Sequence, residues 1–324
     1  MRKLFTGVIF ILMGSAAIAQ DPHFTQYYAA PLSINPAYTG IFNGKARFLT
    51  NHRQQWAGAM DPFVTSAASM DVKLTKGRET GQNPFNIGVQ LLSDRSFKGS
   101  FRSSIASGTA SFHVPLDIDG KLNLGVGLGA SFASRKLDLS DISFDAQFAS
   151  GGFDLGIFNG ETNFKGTQTY FAVAAGALFT YNGYEEGTFF ELGASMFNVN
   201  RPQFSFLQDS SQLVPIRYSL HASCQKQLGS MLVADVYGVY QNQATISYIQ
   251  AGLSLARNIG QAGTMQVGAG VHFRSNDAIS PAVTMSLGNL KLGLSYDVVT
   301  SALKESGRNL SSMEFSAVFR IDTK

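Results

Sequence analysis

The stretch Lys121–Phe132, KLNLGVGLGASF, serves two surroundings at once. Leu122, Leu124, Val126, Leu128, Ala130 and Phe132 form one file, while Asn123, Gly125, Gly127, Gly129 and Ser131 form the other. Successive side chains of a β-strand point to opposite faces, so the stretch predicts a strand with one apolar face and one small, polar face. The pattern returns almost to the end of the chain. In Thr264–Arg274, Met265, Val267, Ala269, Val271 and Phe273 oppose Gln266, Gly268, Gly270, His272 and Arg274. In Ser311–Ile321, Met313, Phe315, Ala317, Phe319 and Ile321 oppose Glu314, Ser316, Val318 and Arg320.

Reading the chain in this way yields 14 strands and no convincing helix. The first five are Gly44–Asn51, Phe63–Leu74, Asn86–Asp94, Phe101–Val114 and Lys121–Ser134. A long insertion separates them from Thr169–Tyr181, Thr188–Val199, Ile216–Leu228, Met231–Tyr240 and Thr245–Arg257. The last four are Thr264–Arg274, Ile279–Leu287, Leu290–Val299 and Ser311–Ile321. Phe101–Val114 and Met231–Tyr240 declare no face.

Two further features choose between a soluble sandwich and a membrane barrel. Arg2 and Lys3, an apolar run to Ile18 and the small-x-small Ala17-Ile18-Ala19 read as a signal peptide, residues 1–19, cleaved before Gln20. Charged residues are 15% of the chain and aromatics 12%, against ~25% charged in ordinary soluble domains. The connections also sort by length, as they do in outer-membrane barrels. His52–Pro62, Arg135–Gln168, Asn200–Pro215 and Thr300–Leu310 fall on one side. Tight Asp119-Gly120, Gly229-Ser230 and Gly288-Asn289 turns fall on the other. The expectation is an all-β fold, a transmembrane outer-membrane antiparallel β-barrel of about 14 strands over residues 44–324. Its apolar file faces outer-membrane lipid, and its small and polar file faces water, or polar side chains and loops. Residues 20–43, broken by Pro22, Pro31 and Pro36, form an irregular segment that is periplasmic or plugs the lumen.

Catalytic chemistry finds little purchase. Gly125-Val-Gly127-Leu-Gly129 lies inside a strand, not between a strand and a helix, so it reads as close packing and not as a nucleotide loop. His23, His52, His113, His221 and His272 are scattered without metal-ligand spacing, and no G-x-S-x-G elbow marks a nucleophile. The lone Cys224 alternates into the lipid-facing file. No catalytic residue, metal or cofactor is expected. The chain has 25 Lys and Arg, two of which (Arg2 and Lys3) leave with the leader, against 22 Asp and Glu. That near-neutral balance gives no argument for nucleic acid.

Asp21-Pro22-His23-Phe24-Thr25-Gln26-Tyr27, then Pro31 and Ile34-Asn35-Pro36-Ala37-Tyr38-Thr39-Gly40, closely resemble the opening of the PorP/SprF family. Asn51-His52-Arg53-Gln54-Gln55-Trp56 and Pro62 resemble its next block. These are outer-membrane proteins of the type IX secretion system of Bacteroidota. The resemblance implies a 14-stranded barrel with no enzymatic residues to carry over. It also implies a role in secreting, or retaining at the surface, proteins with C-terminal secretion signals, gliding-motility adhesins among them. The partners it implies are an adhesin C-terminal domain, ring components of the machine and lipoproteins.

The residues expected to bind a partner or support the motif are Tyr27, Asn35, Pro36, Tyr38, Arg53, Gln54 and Trp56. To these are added Phe144, Phe148, Phe153 and Phe158 of the long insertion. Arg53–Trp56 read as lying just after the first strand, where Trp56 is either an interfacial anchor or part of a recognition surface. The alternative function is an outer-membrane diffusion channel or solute transporter.

Overall fold

The computed structural model describes residues 21–57, 61–74, 85–96, 99–140, 144–149, 152–154, 156–158, 160, 164–183, 187–259, 264–301 and 311–322. The segment expected to be a signal peptide lies outside them. In chain order the strands are β1 (Ala46–Ala57), β2 (Phe63–Lys73), β3 (Phe85–Ser96), β4 (Phe101–Pro115) and β5 (Leu122–Leu137). A separate two-residue hairpin follows, β6 (Phe148–Ala149) with β7 (Gly152–Phe153). Then come β8 (Thr167–Gly183), β9 (Thr188–Phe197), β10 (Arg217–Leu228), β11 (Leu232–Gln243) and β12 (Ile246–Ile259). The last are β13 (Met265–Arg274), β14 (Ala278–Leu287), β15 (Leu290–Val299) and β16 (Ser311–Ile321). All but β6 and β7 form one closed antiparallel barrel of 14 strands, sealed where β1 pairs β16 from Ala46↔Ile321 upward.

Alternation explains each stave. On β5, Leu124, Val126, Leu128 and Phe132 point outward, while Asn123, Ala133 and Arg135 are buried inside. The outward file is predominantly apolar, with Val89 and Leu91 on β3, Leu220 on β10, Leu253 on β12 and Phe315 on β16 all exposed. A belt of that extent belongs against hydrocarbon, and a closed sheet leaves no unpaired backbone there. Cys224 takes its expected place in it, opposite Phe190 and Val236. The β10–β11 and β14–β15 turns each need a left-handed residue and supply Gly229 (φ 67°) and Gly288 (φ 54°).

The barrel departs from expectation at the first stave. Arg53–Trp56 are not beyond the strand: β1 runs on to Ala57, with Arg53 opposite Thr65 and Gln55 opposite Phe63. His52–Pro62 is therefore mostly strand. The extension is hidden in the sequence because both of its files are polar. Its inward residues Asn51 and Arg53 bind buried carboxylates on β16 and β15.

Residues 21–43 lie inside the ring. Three single 3₁₀ turns, Tyr27–Ala29, Pro31–Ser33 and Pro36–Tyr38, compact the segment, the last two opened by proline, whose ring presets the backbone angle. The segment spans the barrel from Asp21, at the ends of β5, β10 and β11, to Gly40, which donates to Asp71 on β2. Gly127 and Gly176 admit it, since a Cβ on Gly127 would overlap the Ala37 nitrogen and one on Gly176 the Asn35 side chain. Of the two surroundings considered for the inward file, protein occupies this part of the interior.

That occupant accounts for the two strands without a readable face. β11 turns Tyr237 and Val239 inward, where they join Tyr27, Leu32 and Ile34 in one apolar cluster. β4 turns Ile105 inward beside Phe24 and Ala30, and its outward file is built from small residues such as Ser104, Ala106 and Gly108.

Leu128 lies near the middle of β5, opposite Ala110 and Ala175. Leu128→Arg should destabilise the folded barrel by about 2–4 kcal/mol, read from reversible urea unfolding in phospholipid vesicles. The inward change Ser131→Ala should leave the midpoint nearly unmoved.

Candidate functional site: an aromatic vestibule over a charged floor

Polar clusters on several strands hold the segment in the ring. Glu314 on β16 accepts the backbone N–H of Thr25 at 2.7 Å and of Gln26 at 2.8 Å, and the Asn51 amide of β1 at 2.9 Å. Tyr38 donates to Glu191 on β9 at 2.6 Å, and its hydroxyl lies 2.9 Å from His221 Nδ1. Asn35 caps the Pro36–Tyr38 turn by accepting from Ala37 N, and its amide donates to the Ala177 and Ala194 carbonyls of β8 and β9. Pro36 is buried against Gly127, and Tyr27 packs its ring 4.1 Å from that of Tyr237. Tyr27, Asn35, Pro36 and Tyr38 are therefore interior residues that seat the segment.

Toward the end carrying the long loops, the interior becomes ionic. Asp297 receives Arg53 at 3.0 Å, Arg274 at 2.6 Å and the Ser280 hydroxyl at 2.6 Å. Asp277 takes Arg274 Nε at 2.9 Å. Two guanidiniums are thus matched by two carboxylates, as buried charge requires. Arg53 also donates to the His23 carbonyl at 2.9 Å, and Arg274 to the Thr25 hydroxyl. The His23 ring lies 4.8 Å from Tyr248 and 4.0 Å from Asp277, and its burial draws the imidazole down to about 4. Burial works against ionisation of Asp277, but His23, Arg274 and Arg53 prevail and hold its carboxyl well below the usual range.

Above this floor the mouth widens into a cavity of about 1880 Å³. Asp21 and His23 lie at its base, and Trp56, Phe63, Phe101, Phe144, Phe204 and Phe206 are among its walls. A bulge in the β1–β16 pairing between Gln54 and Ala57 re-aims the strand end. Trp56 there adopts φ 59°, rare for a bulky residue, and meets Phe63 edge-on at 5.0 Å. Sequence reasoning missed Phe63 and Phe101, which open their strands and look like ordinary stave residues. It also passed over Arg135, which ends an inward file.

The expected site residues thus divide. Arg53 belongs to the floor, and Trp56 and Phe144 to the vestibule wall. Gln54 points outward, away from both. Phe148 and Phe153 face each other at 5.8 Å in the β6–β7 hairpin, and they and Phe158 are exposed. Among the described residues no three His, Cys, Asp or Glu side chains gather as a metal site would require.

A closed antiparallel ring with an apolar outer belt, its own segment inside and its larger loops at one end defines an outer-membrane β-barrel. Its family follows from sequence. The chain belongs to the PorP/SprF family, described as the type IX secretion system membrane protein PorP/SprF, which matches residues 16–319. No curated protein matches it. Among solved structures it is similar to the Ralstonia pickettii toluene transporter TbuX, with TM-score 0.51 and 11% identity over 90% of this chain and 94% of that one. The CymD monoaromatic hydrocarbon channel is alike to the same degree, with TM-score 0.51 and 12% identity over 91% and 93%. At such identity the likeness is one of fold.

Seating of the segment should depend on pH through His23. A displaced His23 takes up a proton near pH 6.5, whereas the seated ring resists until about 4. Acidification through that window should therefore favour the displaced state, and seating should be full above it. Limited proteolysis within residues 21–43 should quicken between pH 6.5 and 4, and His23→Asn should flatten that rise.

Proposed function

We propose that this chain is a non-catalytic anchoring barrel of the type IX secretion system. It receives the C-terminal domain of a secreted surface protein, such as a gliding adhesin, in its external vestibule and holds it at the outer membrane. The cleaved leader delivers the chain, and secretion-ring components and lipoproteins meet its periplasmic face. The observation that carries this reading is the combination of an occupied lumen and an open mouth. Residues 21–39 fill the interior through contacts with strands on all sides, and the aromatic cavity of about 1880 Å³ stands over them. A conduit needs a continuous aqueous path, whereas a seat needs a floor. The cavity exceeds the ~300–1,000 Å³ of small-ligand sites, which suits a protein guest. Aromatic walls supply the anchors that dominate protein recognition.

The β5–β8 and β9–β10 connections, which give the mouth Leu139, Phe144, Phe164, Phe204 and Phe206, are the elements to remove. Deletion of residues 139–164 should release the adhesin into the medium while the barrel still assembles; undiminished surface retention would refute the assignment. Planar bilayers separate this reading from a channel. The intact chain should be electrically silent, and Gly127→Val, which unseats Ala37, should conduct. Steady conductance by the unaltered chain would favour the solute-channel reading instead.

A further inference from the structure

The floor holds a second arginine pair, and it has a single carboxylate within ion-pair distance. Arg53 and Arg274 have two carboxylates between them. Arg135 on β5 and Arg217 on β10 share one close carboxylate, Asp21, at 3.5 Å and 3.6 Å, and Asp94 on β3 acts on Arg135 from beyond contact distance. Both arginines are more than nine-tenths buried, and the Nε of each has no hydrogen-bond partner. Arg53 also leaves its Nε free, but both its terminal nitrogens are bonded, to His23 and Asp297. Arg217 is tied down by the Ser33 carbonyl at 2.9 Å and lies over the Phe197 ring. Arg135 has no such tie; Asp21 at 3.5 Å is its single polar contact among the described residues. Its guanidinium is flanked by the rings of Tyr170 at 5.3 Å and Phe204 at 5.0 Å, and it lines the vestibule.

Stacking on rings covers the faces of a guanidinium and leaves its N–H edge as the part able to bind. A buried cation whose contact carboxylate is shared with a second cation is costly unless another anion completes its N–H edge. Planar carboxylates suit that edge, forming paired charge-assisted hydrogen bonds. The walls above are aromatic, but polar side chains such as Gln55, Ser205, Gln212, Ser247 and Asn276 punctuate them, as a polypeptide backbone would require. Asp21, Pro22 and His23 line the floor, and the segment beyond them is bonded to the barrel wall. A strand of polypeptide that reaches Arg135 must stop there or double back.

We propose that Arg135, supported by Arg217, binds the C-terminal α-carboxylate of an apolar polypeptide segment inserted into the vestibule. Asp21 is the resident partial counterion that the guest's carboxylate supplements. The inference rests on the vestibule being the partner's seat and adds the chemistry that seat reads.

Trp56, the only tryptophan of the chain, lines the cavity and reports its occupancy by fluorescence. The probe is a peptide of alternating phenylalanine and serine, titrated as free acid and as C-terminal amide into the full barrel in detergent micelles. The acid should bind about tenfold tighter than the amide, the scale of one charge-assisted contact. Arg135→Gln should erase that preference and leave amide binding unchanged. Asp21→Asn, which removes the resident carboxylate and leaves the guest's to neutralise both arginines, should tighten the acid further. Should Arg135→Gln fail to assemble, Arg135→Lys, with the charge but not the fork, should show an intermediate preference. Equal binding of acid and amide would overturn the arginine assignment and leave the seat standing. Binding of neither would overturn both. Dodecanoate that acts through Arg135 where the peptide does not would make the guest a lipid and overturn the peptide reading.

Discussion

Hydrocarbon offers no hydrogen bonds, so every backbone N–H and C=O in the bilayer must find its partner within the protein. The rest of this structure depends on that requirement. It closes β1 onto β16, dictates strict alternation outside, and confines irregular backbone to the interior and the two rims. Pro281, within β14, is awkward because it has no N–H to give. The β14–β15 register is unpaired between Ile279↔Val298 and Ala282↔Ser295, and there the Ser280 hydroxyl donates to Asp297 instead. The break falls beside the densest ionic cluster of the lumen, where side chains replace the missing ladder.

Closing the ring solves the outside and leaves the inside open. Here the chain supplies its own interior, and the inward file answers to two kinds of neighbour. Where the segment presents Tyr27, Leu32 or Ile34, the wall answers with Leu178, Tyr237 and Val239. Where it presents backbone, the wall answers with Glu314, Ser195 and Gln250. The floor is the ionic version of the same matching, with Arg53 and Arg274 against Asp277 and Asp297. Burial at that depth leaves little tolerance for an unmatched charge, so the looser Arg135–Asp21–Arg217 arrangement stands apart within the same interior.

The same division decides what could be read from the sequence. Lipid imposes one rule on every outward residue, so the staves of β5, β13 and β16 were legible from their alternation alone, with the count and the closing turns. Interior rules are local. β11 showed no face because its inward Tyr237 and Val239 meet an apolar partner more than 200 positions earlier in the chain. β1 appeared to end at Asn51 because the carboxylates that hold Asn51 and Arg53 belong to β16 and β15. The prolines of residues 21–43 ruled out a regular element but carried no address, since the partners that seat Asn35 and Tyr38 come from β8, β9 and β10. The vestibule was legible in part: Trp56 and Phe144 were singled out. Phe63, Phe101 and Arg135 needed the strand ends placed in space.

Glu314 joins these two levels. It is one side chain on the strand that closes the ring, and it binds both the neighbouring stave and the segment inside. Asn51 reaches it across the β1–β16 seam, while Thr25 and Gln26 reach it from the lumen. Without the segment, that carboxylate would face the lumen with two of its three donors gone. Without the seam, the segment would lose its firmest backbone contacts. Since an unsatisfied buried polar group costs about 1–3 kcal/mol, filling the interior and sealing the wall favour one another. The residues that join the cylinder at its last seam are thus among those that hold the segment beneath the vestibule.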